Sequence, residues 1–219
     1  MRFAMPLLVA LTAVTLAACG SSETAGPPPV AQRFVNAEDA PGSKPDPVET
    51  RQTTTDLGEF MQAARERLVD PNFQEMHKLF QDAGFKSAGV DARYFGQQHS
   101  FTVPHVFSSF IELESEDGAK DVLDWLEKDS RKPCPESCAV QISDFDPGVE
   151  DARGVHRLQT AAGLEKVGNT DLKPFDSYWT AFTVGPVVYT VELHRSPGTV
   201  SAEQAQKIAN AYHDRLAGD

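Results

Sequence analysis

The sequence predicts an α+β domain, an antiparallel sheet with helices packed mainly on one face, and three features predict it. Runs of strand composition fall at 105–114, 178–184 and 187–193. The last two are separated only by Gly185-Pro186, which reads as a tight hairpin. Amphipathic helical stripes occur apart from one another and do not alternate regularly with strands, as a parallel sheet would require.

In chain order, Leu57, Phe60, Met61, Ala64 and Leu68 make one apolar helix face. Asp70 and Pro71 restart the chain as a cap and a first-turn proline, and Phe73, Met76, Phe80 and Ala83 form a second stripe that Gly84 ends. His77 beside that stripe reads as a packing residue. In the strand at 105–114, Phe107, Ile111 and Leu113 share a face at period two. Ser115 then caps a helix whose buried face is Ala119, Val122, Leu123 and Leu126. Glu116 and Asp117 suit its positive end, Lys128, Arg131 and Lys132 its negative end, and Pro133 closes it.

Shorter strands are expected at 139–143 and 154–159, with an acidic loop at 144–151 between them. That loop lacks the residue order of a calcium-binding EF-hand and reads as a solvated turn. The last helix starts on Ser201-Ala202-Glu203-Gln204, a capping box, and runs Ala205, Ile208, Ala209, Tyr212 and Leu216 down one face to Gly218. The segments 107–128 and 187–216 both read as strand, polar turn and helix, a weak sign of internal duplication. The hairpin is apolar on both faces: Trp179, Ala181, Tyr189, Val191 and Leu193 on one, Phe182, Val184 and Val188 on the other. This surplus of apolar surface suggests an open sheet face or groove, with Trp179, Phe182 and Tyr189 as ligand-binding candidates.

Hydrophobic residues are 40% of the chain and charged residues 24%, which excludes wholesale disorder and multi-span membrane classes. A net charge of -12 repels phosphates and argues against a nucleic-acid partner. The chain opens with Arg2 and an acid-free apolar run ending in Leu16-Ala17-Ala18-Cys19. The run is short for a spanning helix and lacks a basic stop-transfer cluster, so it reads as an export signal. Residues 1–18 are therefore expected to be a signal peptide, 19–55 a proline- and threonine-rich linker, and 56–219 one globular domain.

The Leu16-Ala17-Ala18-Cys19 run resembles the lipobox of bacterial lipoproteins. That resemblance implies lipidation of Cys19 and anchoring on the extracytoplasmic face of the membrane. The remaining cysteines, Cys134 and Cys138, are expected to pair as a disulfide outside the cytoplasm. The hairpin, polar turn and last helix are similar to secreted lipoproteins of actinobacteria, some of which resemble the extracellular sensor domains of membrane kinases. The role this implies is binding or sensing in the envelope.

No nucleophile elbow, phosphate loop, zinc-protease motif or dinucleotide fingerprint is present. Six histidines are scattered singly. His99 and His105 with Glu112 could meet around a metal, but nothing in their spacing demands it. No cofactor, metal or catalytic residue is expected. The expected function is a non-enzymatic binding or sensing domain for an envelope protein partner or a small apolar, lipid-like ligand. The alternative is an envelope hydrolase using acids such as Glu112, Glu114 and Asp144.

Overall fold

A computed structural model describes residues 27–49, 51–65, 73–100, 103–133, 138–169 and 172–218. The signal segment, Cys19, the Asp70-Pro71 restart and Cys134 lie outside the described residues. A 3-10 turn at Val30–Gln32 precedes β1 (Ser43–Pro45), β2 (Gln52–Thr54), α1 (Leu57–Arg65), α2 (Phe73–Asp82), β3 (Ser87–Phe95), β4 (His105–Glu112) and α3 (Glu116–Ser130). β5 (Val140–Asp144), β6 (Arg153–Gln159), α4 (Ala161–Lys166), β7 (Phe175–Val184), β8 (Val187–Arg195) and α5 (Ala202–Ala217) follow.

The eight strands form one antiparallel sheet in the order β1-β3-β4-β8-β7-β6-β5, with β2 also paired to β3. The fold is α+β. Helix caps follow the sequence closely: Ser115 Oγ accepts from the Gly118 amide at 3.1 Å and Ser201 Oγ from the Gln204 amide at 3.2 Å. Gly218 ends α5 in the left-handed conformation, with φ 82°.

Strand alternation splits the apolar residues into two cores. On one face Ala88, Ile111, Val155, Trp179, Ala181 and Val188 pack under α1, α2 and α3 through Met61, Met76, Phe80, Val122 and Leu123. On the other, Val106, Phe110, Phe182, Tyr189, Val191 and Leu193 pack under α5 through Ile208, Ala209 and Tyr212. The two strand-turn-helix segments that look alike in sequence thus send α3 and α5 to opposite faces. No two-fold axis normal to the sheet relates them.

The expected linker at 19–55 is corrected over residues 30–54. Phe34 and Val35 are 1% and 0% exposed and belong to the α5-side core, while β1 and β2 line the outer edge of β3. The prolines and glycines of this segment build turns against the sheet rather than a free tether. Pro45 sits in an edge strand, where its missing N–H costs least. The segment also covers an edge that would otherwise expose unpaired backbone groups.

β3 has no counterpart in the sequence expectations because its alternation is inverted. Ala88, Val90 and Ala92 supply little apolar signal, and the intervening Gly89, Asp91 and Arg93 carry no strand signal. Arg93 is buried and donates from Nε to Ser43 Oγ at 2.8 Å and from Nη2 to the Ser43 carbonyl at 3.1 Å. Gly89 is required for packing: a Cβ there would lie 2.6 Å from Phe110 and 2.7 Å from Phe34. Among the described residues no helix is long and apolar enough to cross a membrane.

Candidate functional site

Backbone register decides which side chains meet on the face under α1 and α3. Ser109 pairs with Thr190, Phe107 with Glu192, and Glu192 in turn with Trp179, so these residues share one surface across β4, β8 and β7. The helices do not fill this surface completely. A cavity of about 220 Å³ remains, walled by Phe60 of α1, Leu126 of α3, and Val90, Phe107, Ile111 and Trp179 of the sheet.

Its floor is polar. The hydroxyls of Ser109 and Thr190 are bonded to each other at 2.7 Å. Arg157 Nη2 donates to Glu192 Oε1 at 3.1 Å, and Ser177 Oγ donates to the same oxygen. Burial acts to raise the Glu192 pKa. The charges of Arg157 and His194 and the hydrogen bonds from Ser177 and Arg157 outweigh it and hold the carboxyl below the usual range.

Two polar atoms among the lining residues are left over. Arg157 Nε is buried and has no acceptor. Asp129 Oδ1 is buried without a hydrogen bond, although Lys132 Nζ lies 3.1 Å away. A buried donor without an acceptor, on the polar floor of a cavity with apolar walls, is a feature of a small-molecule site.

Of the ligand-binding candidates, only Trp179 lines this cavity. Phe182 and Tyr189 are corrected: they form a direct cross-strand pair on the opposite face, with Tyr212 of α5 edge-on to both rings. The physical reason is the two-residue turn. It pairs Val184 with Val187, so odd-numbered positions of β7 share a face with even-numbered positions of β8. Phe182 and Tyr189 are core residues. Burial pushes the Tyr189 phenol up to about 12, and its hydroxyl has no hydrogen-bond partner.

The acids considered for hydrolysis do not gather in the cavity. Glu112 accepts from Arg33 Nη1 at 2.6 Å and Ser87 Oγ at 2.9 Å. Asp144 is exposed and accepts from Arg131 Nη1 at 2.6 Å. Glu114 is exposed beside Gly84. The carboxylates that do line the cavity are Asp129 and Glu192, neither of which a local motif marks.

His99 and His105 come together, but with Asp46 and not with Glu112. Seven positions along β4 separate His105 from Glu112, about 23 Å in an extended strand. Asp46, from the segment read as linker, comes within 3.1 Å of His99 Nε2 and 3.4 Å of His105 Nε2. Burial lowers the His105 pKa; the Asp46 charge opposes this without overcoming it. The Cys138 carbonyl accepts from Gln159 Nε2, which fixes the turn before β5.

No protein-family model and no curated protein matches the chain. Among solved structures, the extracellular domain of PknH from Mycobacterium tuberculosis is similar to it, with a TM-score of 0.50 and 12% sequence identity over 81% of this chain and 86% of that one. At that identity the likeness is one of fold.

Proposed function

We propose that the chain is an envelope lipoprotein whose domain is a non-enzymatic binding or sensing module for a small amphiphilic ligand held in the cavity under α1 and α3. Residues 1–18 direct export and Cys19 carries the lipid. Cys134 and Cys138 form a short disulfide-closed turn. The fold likeness to the extracellular domain of PknH supports this placement. The observation that carries the ligand reading is the cavity itself: apolar walls from Phe60, Phe107 and Trp179 over a floor where Arg157 Nε lacks an acceptor.

The cavity's size suits a short acyl chain or a single ring system, and its Arg157 corner suits a hydroxyl, carbonyl or carboxylate at one end. A free anion gains less there than at an unpaired arginine, because Glu192 already neutralises the guanidinium. The preferred head group is therefore a neutral hydrogen-bond acceptor.

The test uses the full chain carrying Trp125→Phe, which leaves Trp179 as the only indole. Titration with a brominated medium-chain acyl ester is expected to quench Trp179 fluorescence saturably. Emission that stays constant through the titration contradicts the reading.

A further inference from the structure

We propose that Asp46, His99 and His105 form a binding site for a divalent transition-metal ion, with Zn²⁺ the ion their geometry suits. The proposal is independent of the cavity reading and rests on different side chains.

Three separate stretches of chain supply the donors. Asp46 follows β1, and its amide donates to the Ala92 carbonyl at 2.9 Å, which ties it to β3. His99 lies between β3 and β4, its ring edge-on to Tyr94 at 5.5 Å and to His105 at 5.6 Å. His105 opens β4, paired through the backbone with Tyr94 and His194. One oxygen or nitrogen from each residue falls within 4.8 Å of the other two.

The Asp46 carboxylate decides the case. Its side chain is 1% exposed. Oδ1 accepts from the amides of Val48 and Glu49 at 2.8 and 3.0 Å, which fixes its orientation. Oδ2 is buried, faces the two imidazoles at 3.1 and 3.4 Å, and has no hydrogen-bond partner. The close nitrogens therefore do not satisfy it in hydrogen-bonding geometry, and a buried carboxylate oxygen left this way is costly.

A cation between the three donors removes that cost. Two ligands at about 2.0–2.1 Å from a tetrahedral zinc lie roughly 3.4 Å apart, close to the two Asp46–His spacings, and the third spacing is within 4.8 Å. The surroundings fit the usual outer shell as well. The backbone amides hold the carboxylate, and His105 is hydrogen-bonded to the backbone of Val103. A ring that gives one proton to a carbonyl presents the lone pair of its other nitrogen to the ion. Two imidazoles and one carboxylate favour first-row transition metals over Ca²⁺ or Mg²⁺, which prefer all-oxygen sets. His99 is 18% exposed at its side chain and gives the ion a path from solvent. Three protein ligands leave a fourth position open.

The test titrates the tag-free full chain, carrying Cys19→Ser to remove a competing thiol and stripped with a chelator. Zn²⁺ binding is followed by calorimetry and Co²⁺ binding by visible absorption. One equivalent of Zn²⁺ is expected, together with ligand-field bands from Co²⁺. His99→Ala is expected to weaken binding by more than the roughly 10–100-fold that loss of an outer-shell partner costs. Asp46→Asn serves as the second variant, and circular dichroism checks that both fold. Absence of binding by the parent chain, or unchanged binding by a folded His99→Ala chain, overturns the proposal.

Discussion

Arg215 on α5 grips Asp39 with two parallel hydrogen bonds, Nε to Oδ1 at 2.8 Å and Nη2 to Oδ2 at 2.6 Å. The same guanidinium donates from Nη1 to the Gln32 carbonyl at 2.6 Å and from Nη2 to the Phe34 carbonyl at 2.8 Å. One planar fork thereby fastens the N-terminal segment to the last helix. Asp39 is 2% exposed at its side chain, so the carboxylate end of the pair is shielded from solvent.

Arg215→Met is expected to destabilise the fold by about 3–5 kcal/mol, because it leaves a buried carboxylate without a counter-charge. Hydrogen exchange is expected to rise first over 30–40. Lys78→Ala serves as the contrast: it removes an exposed pair with Asp82 and should change stability by less than about 0.5 kcal/mol. Urea denaturation of the two variants checks both values.

Phe34→Ala tests the same segment from its apolar side. Phe34 packs edge-on against Phe110 at 5.3 Å, and the Arg51 guanidinium lies 4.5 Å from its ring. A loss of about 3–5 kcal/mol is expected. A tether would show no loss at all, so the denaturation midpoint separates the two descriptions.

The two core tyrosines should respond in opposite directions. Tyr212 donates its hydroxyl to the Arg33 carbonyl at 2.5 Å, whereas the Tyr189 hydroxyl is buried with no partner. Tyr212→Phe is expected to cost about 1–2 kcal/mol. Tyr189→Phe, which removes an unsatisfied group, is expected to be neutral or stabilising by about 1 kcal/mol. Thermal melts of the pair read the sign directly.

Stability should depend on pH below the ordinary carboxylate range. Burial favours the neutral form of Glu112, but the Arg33 and Ser87 hydrogen bonds outweigh it and hold the pKa low; Glu192 is held low by Arg157 and His194. Carboxylates with depressed folded-state pKa contribute stability that is fully present above their unfolded value, about 4.3, and lost as pH falls through the folded value. Urea midpoints should stay level between about pH 7 and 5 with respect to these two groups and drop below about pH 4. Glu112→Gln should flatten that drop.

Much of the architecture is legible in the sequence because each signal is local. Ser115 and Ser201 cap their helices through their own side chains, and a two-residue Gly185-Pro186 turn leaves one register for the hairpin. The same turn contains the face assignment, since it sets which residues of β7 and β8 stand together. Period-two reading of each strand alone, without carrying parity through the turn, places Trp179 with Tyr189 instead of with Glu192.

The parts that local signals miss are those that depend on distant partners. Residues 30–54 look like a linker because their short strands and turns gain stability only against β3 and α5. β3 hides because its buried Asp91 is paired with Arg51 and its buried Arg93 is hydrogen-bonded to Ser43, partners that lie 40 and 50 positions away. For the same reason His99 and His105 are visible as candidates while Asp46 is not. Arg157, Glu192 and Asp129 lie on three elements, and only the fold brings them to one cavity.

The central claim is that the cavity beside Trp179 holds a small amphiphile, and native mass spectrometry of the full chain purified from an envelope-bearing bacterial host tests it most directly. The account predicts a discrete added mass, removable by organic solvent and lost in Trp179→Ala while the chain stays folded. A bare mass for the parent chain, or an adduct that persists unchanged in Trp179→Ala, would contradict it.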